Sequence, residues 1–275
     1  MQEVKTTVKI GIDKPVTVLH MSDTHIAHAD PSEGREKTEL AESRRKYFSD
    51  ADAHLDYARG VAKKTGLPLI HTGDIIDFTS RENFAIARQF FADTDCFFAV
   101  GNHEFAQKLG DKEDEDYKAQ SAPEVRKLVP YDIRFASRAI GGINFVAIDN
   151  SYYYFLPDRI DELQREAQKG LPIVLCLHTP LYEKSLFEHQ LQVSHEPVGY
   201  LCGVPDAYTD TYPESERLPQ KTDTATARMI EYIASEPLIR AVLAGHLHYD
   251  YQGVLFNRIP QIITGKSTLR TVEFC

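Results

Sequence analysis

Five short polar clusters carry the residue types from which a reaction centre could be built: Asp23-Thr24-His25, Gly73-Asp74-Ile75-Ile76-Asp77, Gly101-Asn102-His103-Glu104, His178, and Gly245-His246-Leu247-His248. Each follows an apolar run: Val16 to His20, Leu67 to Ile70, Cys96 to Val100, Ile173 to Leu177, and Ile239 to Ala244. Short apolar runs bounded by Gly and Asp read as buried strands. The clusters therefore fall in loops just beyond the carboxyl ends of strands, where open α/β sheets place ligands. Singly, an Asp-x-His is a turn, a Gly-Asp pair leads into a helix, and a strand-end His satisfies a hydrogen bond. Jointly, each of five strand ends in order supplies Asp, Asn or His, the pattern of a metal site. Two divalent ions about 3.5 to 4 Å apart need a shared ligand, and a carboxylate can bridge them; Asp74 is the candidate. Mixed imidazole and carboxylate donors suit Mn, Fe, Zn, Co or Ni, whereas Mg and Ca favour oxygen-only sets.

The elements that must position these residues alternate along the chain. Val8 to Ile12 and Val16 to His20, joined by Asp13-Lys14-Pro15, read as an opening hairpin. Ala27 to Arg45 is polar, holds Pro31 and Gly34, and reads as a loop over that strand end. Tyr47, Ala51, Leu55, Ala58 and Ala62 then repeat at helical spacing, with Ser49 or Asp50 as cap and Gly66 as stop. A second helix starts near Ser80 with Phe84, Ala87 and Phe91 on one face. The acidic run Asp111 to Asp116 reads as a solvated loop, since EF-hand spacing is absent. Ile133 to Ala136 and Ile143 to Ile148 flank a Gly141-Gly142 hairpin signal, and Asp158 to Lys169 is a helix with Ile160, Leu163 and Ala167 facing inward. From Leu181 to Lys221 periodicity disappears among Pro197, Pro205, Pro213 and Pro219, which predicts a loop-rich, cap-like insertion over 181–222. Ala225 to Ala234 resumes as helix, and Gly253 to Phe256 and Gln261 to Thr264 read as closing strands.

Bulk properties narrow the partners. At 275 residues and 42% hydrophobic content the chain can bury a sizeable core as one domain over 1–275. Its 31 basic against 41 acidic side chains, a formal charge of -10, disfavour a polyanion-binding surface, so long nucleic acid is not an expected partner. Met1 to Lys14 lacks the apolar core of a signal peptide, and no run approaches the roughly 18 apolar residues of a membrane span; the expected location is cytoplasmic, without a membrane partner. Cys96, Cys176, Cys202 and Cys275 show no metal-type spacing and read as reduced thiols. Of the remaining histidines, His28 reads as loop surface, His71 as a strand-end residue bonding to backbone, and His189 and His195 as members of the cap.

The series Asp23-x-His25, Gly73-Asp74-x-x-Asp77, Gly101-Asn102-His103-Glu104, His178 and Gly245-His246-x-His248 resembles the full motif set of the calcineurin-like metallophosphoesterase superfamily, from residue 23 to 248. The resemblance implies an α/β fold, a four-layer α-β-β-α sandwich of two mixed β-sheets flanked by helices, with a dinuclear centre at the strand ends. It implies that Asp23, His25 and His248 hold one ion, Asn102, His178 and His246 the other, and that Asp74 bridges. His103 would stand outside the metal shell and protonate the leaving oxygen, with Asp77 orienting it by accepting a hydrogen bond. Departures narrow the branch. Phe78-Thr79 follows Asp77 where protein Ser/Thr phosphatases carry Arg-Gly, and Asp77 stands where purple acid phosphatases carry Tyr. The run from Gly101 to Phe105 is similar to 5'-nucleotidases, but Ala106-Gln107-Lys108 departs from them. Single-domain size and the Gly245 to Ser267 ending look more similar to the cyclic-nucleotide-phosphodiesterase-like branch. The implied activity is hydrolysis of a phosphomonoester or phosphodiester, with a small-molecule or nucleotide substrate, by a metal-bridging hydroxide. A nuclease acting on DNA or RNA is opposed by the acidic charge. A non-catalytic scaffold is opposed by the retention of His103 and every ligand type.

Overall fold

The central strands are apolar on both faces because each face meets a different layer. In the computed structural model, which describes residues 1–108 and 115–275, the chain runs β1 (Gln2–Val8), β2 (Val16–Met21), a 3-10 turn (Pro31–Glu33), α1 (Arg35–Tyr47), α2 (Ala51–Thr65), β3 (Leu69–His71), α3 (Arg81–Asp93), β4 (Cys96–Phe98) and α4 (Glu115–Val125). It continues through β5 (Phe135–Ile140), β6 (Ile143–Ile148), α5 (Arg159–Ala167), β7 (Ile173–Cys176), α6 (Lys184–Ser194), α7 (Asp206–Thr209), α8 (Glu214–Gln220), α9 (Thr224–Ser235), β8 (Ile239–Ala244), β9 (Tyr251–Leu255), β10 (Ile259–Ile263) and β11 (Thr268–Phe274). Of the acidic run expected as a loop, residues 111–114 lie outside the described residues, and Glu115 and Asp116 open α4.

A five-stranded sheet in the order β1-β11-β2-β3-β4 stacks on a six-stranded sheet in the order β5-β6-β7-β8-β10-β9. Side chains alternate along each strand. Val18, Ile70 and Phe97 meet Phe145, Val174 and Leu243 between the sheets. Their chain neighbours Leu19, Leu69 and Phe98 turn outward onto Leu55 of α2 and Phe84 of α3. On the other side Val146, Leu175 and Val242 pack on Leu163, Leu186 and Met229 of α5, α6 and α9. Burial of each such Leu, Ile or Phe is worth about 1.5–3 kcal/mol, and the outcome is the expected α-β-β-α sandwich of mixed sheets. Both sheets direct the strands that bear the clusters with parallel pairing: β2, β3 and β4 in one, β7 and β8 in the other.

Local signals hold where local physics decides. Ser80 caps α3 by accepting from the Asn83 amide at 2.9 Å, and Gly66 closes α2 in the left-handed region at φ 70°. Gly141 and Gly142, at φ 58° and 90°, turn β5 into β6 with Ile140 opposite Ile143. Three expectations are corrected. The opening strands form no hairpin: β11 lies between them, parallel to β1 and antiparallel to β2. The polar stretch before Arg45 is largely helix α1, of which only Ala41 is buried. Having no apolar stripe, it is held by tertiary polar contacts, Lys37 to the Thr79 carbonyl and Arg44 to Asp77. The stretch 181–222 contains three helices, because Pro205 and Pro213 stand at the caps of α7 and α8, where proline starts a helix instead of breaking it. The four cysteines are unpaired. Among the described residues no helix is long and apolar enough to cross a membrane.

Candidate metal centre

The loops that follow β2, β3, β4, β7 and β8 converge at one end of the sandwich. They bring together all seven expected ligands. Asp23, His25, Asp74 and His248 form one group of potential ligand atoms and Asp74, His178 and His246 another, each within 4.8 Å. Asn102 joins the second through Oδ1, 3.0 Å from His178 Nε2. Five of these residues have left-handed backbones, with φ of 55° at Asp23, 54° at His25, 56° at Asp74, 70° at His246 and 62° at His248. Such conformations cost about 1–3 kcal/mol each and persist where surrounding structure fixes them. Close packing does so here. A Cβ on Gly101 would stand 2.2 Å from Asp74 Oδ1, and one on Gly245 would stand 1.8 Å from Ser22 Oγ, so the glycine before each cluster is dictated by contact.

The polar atoms that face one another are nearly all acceptors. His25 Nδ1 lies 2.9 Å from Asp77 Oδ1, and His178 Nδ1 lies 2.7 Å from the Thr72 carbonyl oxygen. These acceptors take the N–H, so in the neutral rings Nε2 presents a lone pair inward. His25 Nε2 meets His248 Nε2 at 3.0 Å, and His178 Nε2 meets His246 Nδ1 at 3.1 Å. Between the two imidazole pairs sits Asp74 Oδ2, buried and without a hydrogen-bond partner, 3.6 Å from His25 Nε2 and 3.2 Å from His178 Nε2. A buried carboxylate oxygen facing lone pairs is costly unless a cation stands among them, so the donor set fits metal ions.

Electrostatics point the same way. Burial opposes charge on His25, but the carboxylates of Asp23, Asp77 and Asp74 carry it up to about 10. At His178, burial is likewise overcome by Asp74, and the group rises to about 9. Burial and the charge on His178 push His246 down to about 3, and burial and the charge on His25 push His248 down to about 4. Despite burial, Asp23 is held at about 2 by His25 and His248, and Asp74 is held well below the carboxylate range by His178 and His103. The carboxylates thus draw in positive charge, and protons and metal ions compete for the same nitrogens.

Asp77 accepts from His103, as expected, but with its main chain. The bond from His103 Nδ1 goes to the Asp77 main-chain carbonyl at 2.7 Å, while the carboxylate is 3.4 Å away. That carboxylate is engaged by His25 Nδ1 and by Arg44, whose Nε and Nη2 donate at 2.6 and 2.8 Å. Asp77 therefore orients His103 through its backbone and His25 through its side chain. The His103 side chain is 27% exposed, open to solvent like that of His248 at 32%.

Sequence reasoning missed several supporting residues. Arg44 lies on a helix with no apolar signal. Phe48 stacks on the His25 ring at 4.2 Å. Tyr153 Oη stands 3.1 Å from His246 Nε2. Asn150 Oδ1 accepts from the His178 and Thr179 amides at 3.1 and 3.2 Å; it follows β6 as the clusters follow their strands, and that pattern could have found it. Among the other histidines, His71 accepts from the Gly73 amide, His28 pairs with Asp52, His189 packs by Tyr249, and His195 ends α6. Glu104 was within a cluster but without a role. Its Oε2 accepts from the amides of Asp74 and Gly101 at 2.9 and 2.6 Å, and Oε1 from Ile75 and Ile76 at 2.7 and 3.3 Å. Burial and the Asp74 charge push Glu104 up to about 7, against the amides of Asp74 and Gly101. Glu104→Gln turns an N–H₂ toward backbone N–H groups and is expected to lower unfolding free energy by about 2–3 kcal/mol. Denaturant unfolding measures it, and a change under about 0.5 kcal/mol, the level of ordinary surface substitutions, would show that the loops are not stitched by this carboxylate.

A family model for calcineurin-like phosphoesterases matches residues 16–250. No sequence of a curated protein matches the chain. Among solved structures, it is similar to a dimetal phosphatase from Danio rerio, at 12% identity over 91% of this chain and 88% of that one, with a TM-score of 0.51. A phosphopantetheinyl hydrolase from Mycobacterium tuberculosis matches at 13% identity over 93% and 92% of the two chains, with a TM-score of 0.43. A 5'-nucleotidase from Candida albicans matches at 16% identity over 92% of this chain and 45% of that one, with a TM-score of 0.42.

Proposed function

This chain belongs to the calcineurin-like phosphoesterase family, and from that premise we propose that it hydrolyses phosphate esters of small molecules at a pair of transition-metal ions. The observation that carries the reading is the unpartnered Asp74 Oδ2 between two converging imidazole pairs. Asp23, His25 and His248 would hold one ion, Asn102, His178 and His246 the other, with Asp74 shared. The mixed donor set favours Mn, Fe, Zn, Co or Ni. When bound, such ions acidify water and polarise the phosphoryl group.

The chain's own residues supply orientation and a proton. Asp77, itself held by Arg44, fixes the tautomer and plane of His25, as partners of metal-bound histidines do. Phe48 covers the face of that ring and keeps water from it. The Asp77 carbonyl takes the Nδ1–H of His103, so Nε2 can hold a proton and release it to the leaving oxygen. The helices of 181–222 cover the substrate side in this reading, supported by Tyr200, whose ring lies 6.5 Å from that of His246. A cytoplasmic location is supported by the four unpaired thiols.

Arg44 is bound to Asp77, and the net charge is -10, so positive charge for an anionic substrate should come mainly from the ions. The expected result is two metal ions per chain and hydrolysis that EDTA abolishes at every ionic strength. Metal analysis, followed by assays on aryl phosphate monoesters and diesters with Mn²⁺, measures both. Activity that survives chelation would remove the metal-dependent reading, and the ratio of the two rates separates phosphatase from phosphodiesterase.

A further inference from the structure

Against the metal-centre residues Asp23 and Thr24 lies a cavity of about 470 Å³, also lined by Tyr47, Phe48, His54 and Lys266. That volume is within the roughly 300–1,000 Å³ of small-molecule sites. Three features of its wall are not explained by folding. Tyr47, Tyr57 and Met1, at 63%, 43% and 50% exposure, are three of the seven large hydrophobic side chains exposed among the described residues, and all three ring this cavity. Clustered exposed apolar groups rimmed by polar ones mark binding surfaces. The Lys266 ammonium lies 4.8 Å from the Tyr47 ring centre and 5.0 Å from that of Phe48. It makes no ion pair among the described residues. His54 is only 4% exposed, and its Nε2 has no hydrogen-bond partner, a cost that a ligand contact would remove.

The cavity shares a wall with the candidate metal centre. Phe48 stacks on His25 at 4.2 Å and meets His248 edge-on at 5.9 Å, and it also touches Tyr47, Lys266 and Arg44, whose guanidinium lies 4.8 Å from its ring centre. A Cβ on Gly265, beside Lys266, would stand 3.0 Å from the His248 carbonyl. An ester held by its phosphoryl group at the metal centre would therefore send its organic group past Phe48 toward Tyr47. We propose that this cavity receives that organic group, and that the group is a flat heteroaromatic ring stacked on Tyr47 with its hydrogen-bonding edge turned to Lys266 and His54. The inference rests on the phosphoesterase reading above. An alkyl chain would leave the ammonium and the imidazole nitrogen unmatched, whereas a heteroaromatic ring offers a π face and polar atoms in one plane.

The test uses the full chain at matched metal content, with adenosine 5'-monophosphate, glycerol phosphate and glucose 6-phosphate as substrates and adenosine as the probe of the cavity. The expected result is a kcat/KM preference for the nucleotide, competitive inhibition by adenosine, and a fall of about 10- to 100-fold in the nucleotide-to-glycerol-phosphate ratio in Tyr47→Ala, the scale of a lost stacking contact. Lys266→Ala should lower the same ratio through KM. A preference for either aliphatic substrate, or a ratio untouched by Tyr47→Ala, overturns the assignment. If none of the phosphoesters tested, the aryl esters included, is hydrolysed, the phosphoesterase reading fails by itself. Calorimetry with adenosine then decides the cavity: binding lost in Tyr47→Ala retains it as a heteroaromatic site, and no binding removes it.

Discussion

Asp74→Asn is expected to reduce metal content from two ions per chain to one or none and to lower kcat/KM by at least about 10³, near 4 kcal/mol of electrostatic stabilisation. The fold should survive. Asn tolerates the left-handed backbone of position 74, at φ 56°, as readily as Asp does. Its carbonyl can still accept from the His103 amide, which now reaches Asp74 Oδ1 at 2.9 Å. The other atom changes from an anionic acceptor to an N–H₂ donor aimed at the lone pairs of His25 and His178, and no charge remains to join two cations. Metal analysis together with thermal unfolding, with and without added metal, separates the two effects. A variant that keeps two ions and near-normal turnover would show that Asp74 does not bridge.

The second large effect is expected at His103. If its imidazole protonates the leaving oxygen, His103→Ala should slow turnover by roughly 10² to 10⁴, the usual worth of a general acid. Metal stoichiometry should hold, because the contact that aligns Asp74 comes from the His103 main-chain amide, which alanine retains. The loss should depend on the leaving group. An acidic phenol departs without a proton, so an aryl ester should lose far less than an alkyl ester. Asp77→Asn should behave differently, since its carboxylate holds His25 and Arg44 while its carbonyl holds His103; its main effect falls on metal affinity, by about 10- to 100-fold. Leaving-group dependence of kcat/KM at matched metal occupancy is the measurement. Equal losses for good and poor leaving groups would take the acid role from His103, and loss of an ion would make it a ligand.

Both predictions concern residues that could be picked out before any fold was known. A loop at a strand's carboxyl end needs no distant partner to be recognised: an apolar run of strand length, a glycine and a donor residue are all local. The same locality made the caps at Ser80 and Gly66 and the turn at Gly141-Gly142 readable. By itself, then, the sequence determined the strand-end clusters and the helices with apolar stripes, while the two packed sheets were implied only by the resemblance of the motif series to a known family.

Only the tertiary structure decided pairings between distant segments. The hairpin expected from Val8 and Val16 failed because β11, more than two hundred residues on, pairs with both strands; strand edges are chemically alike, and sequence proximity is only one contribution to which of them meet. Helix α1 was invisible for the same reason: its stability comes from what Arg44 and Lys37 touch, not from its own pattern. So was the division of Asp77 between two histidines, since whether carbonyl or carboxylate reaches a ring is settled by packing over tenths of an ångström. Residue type sets what an atom can donate or accept, and the fold alone sets which atom stands opposite it.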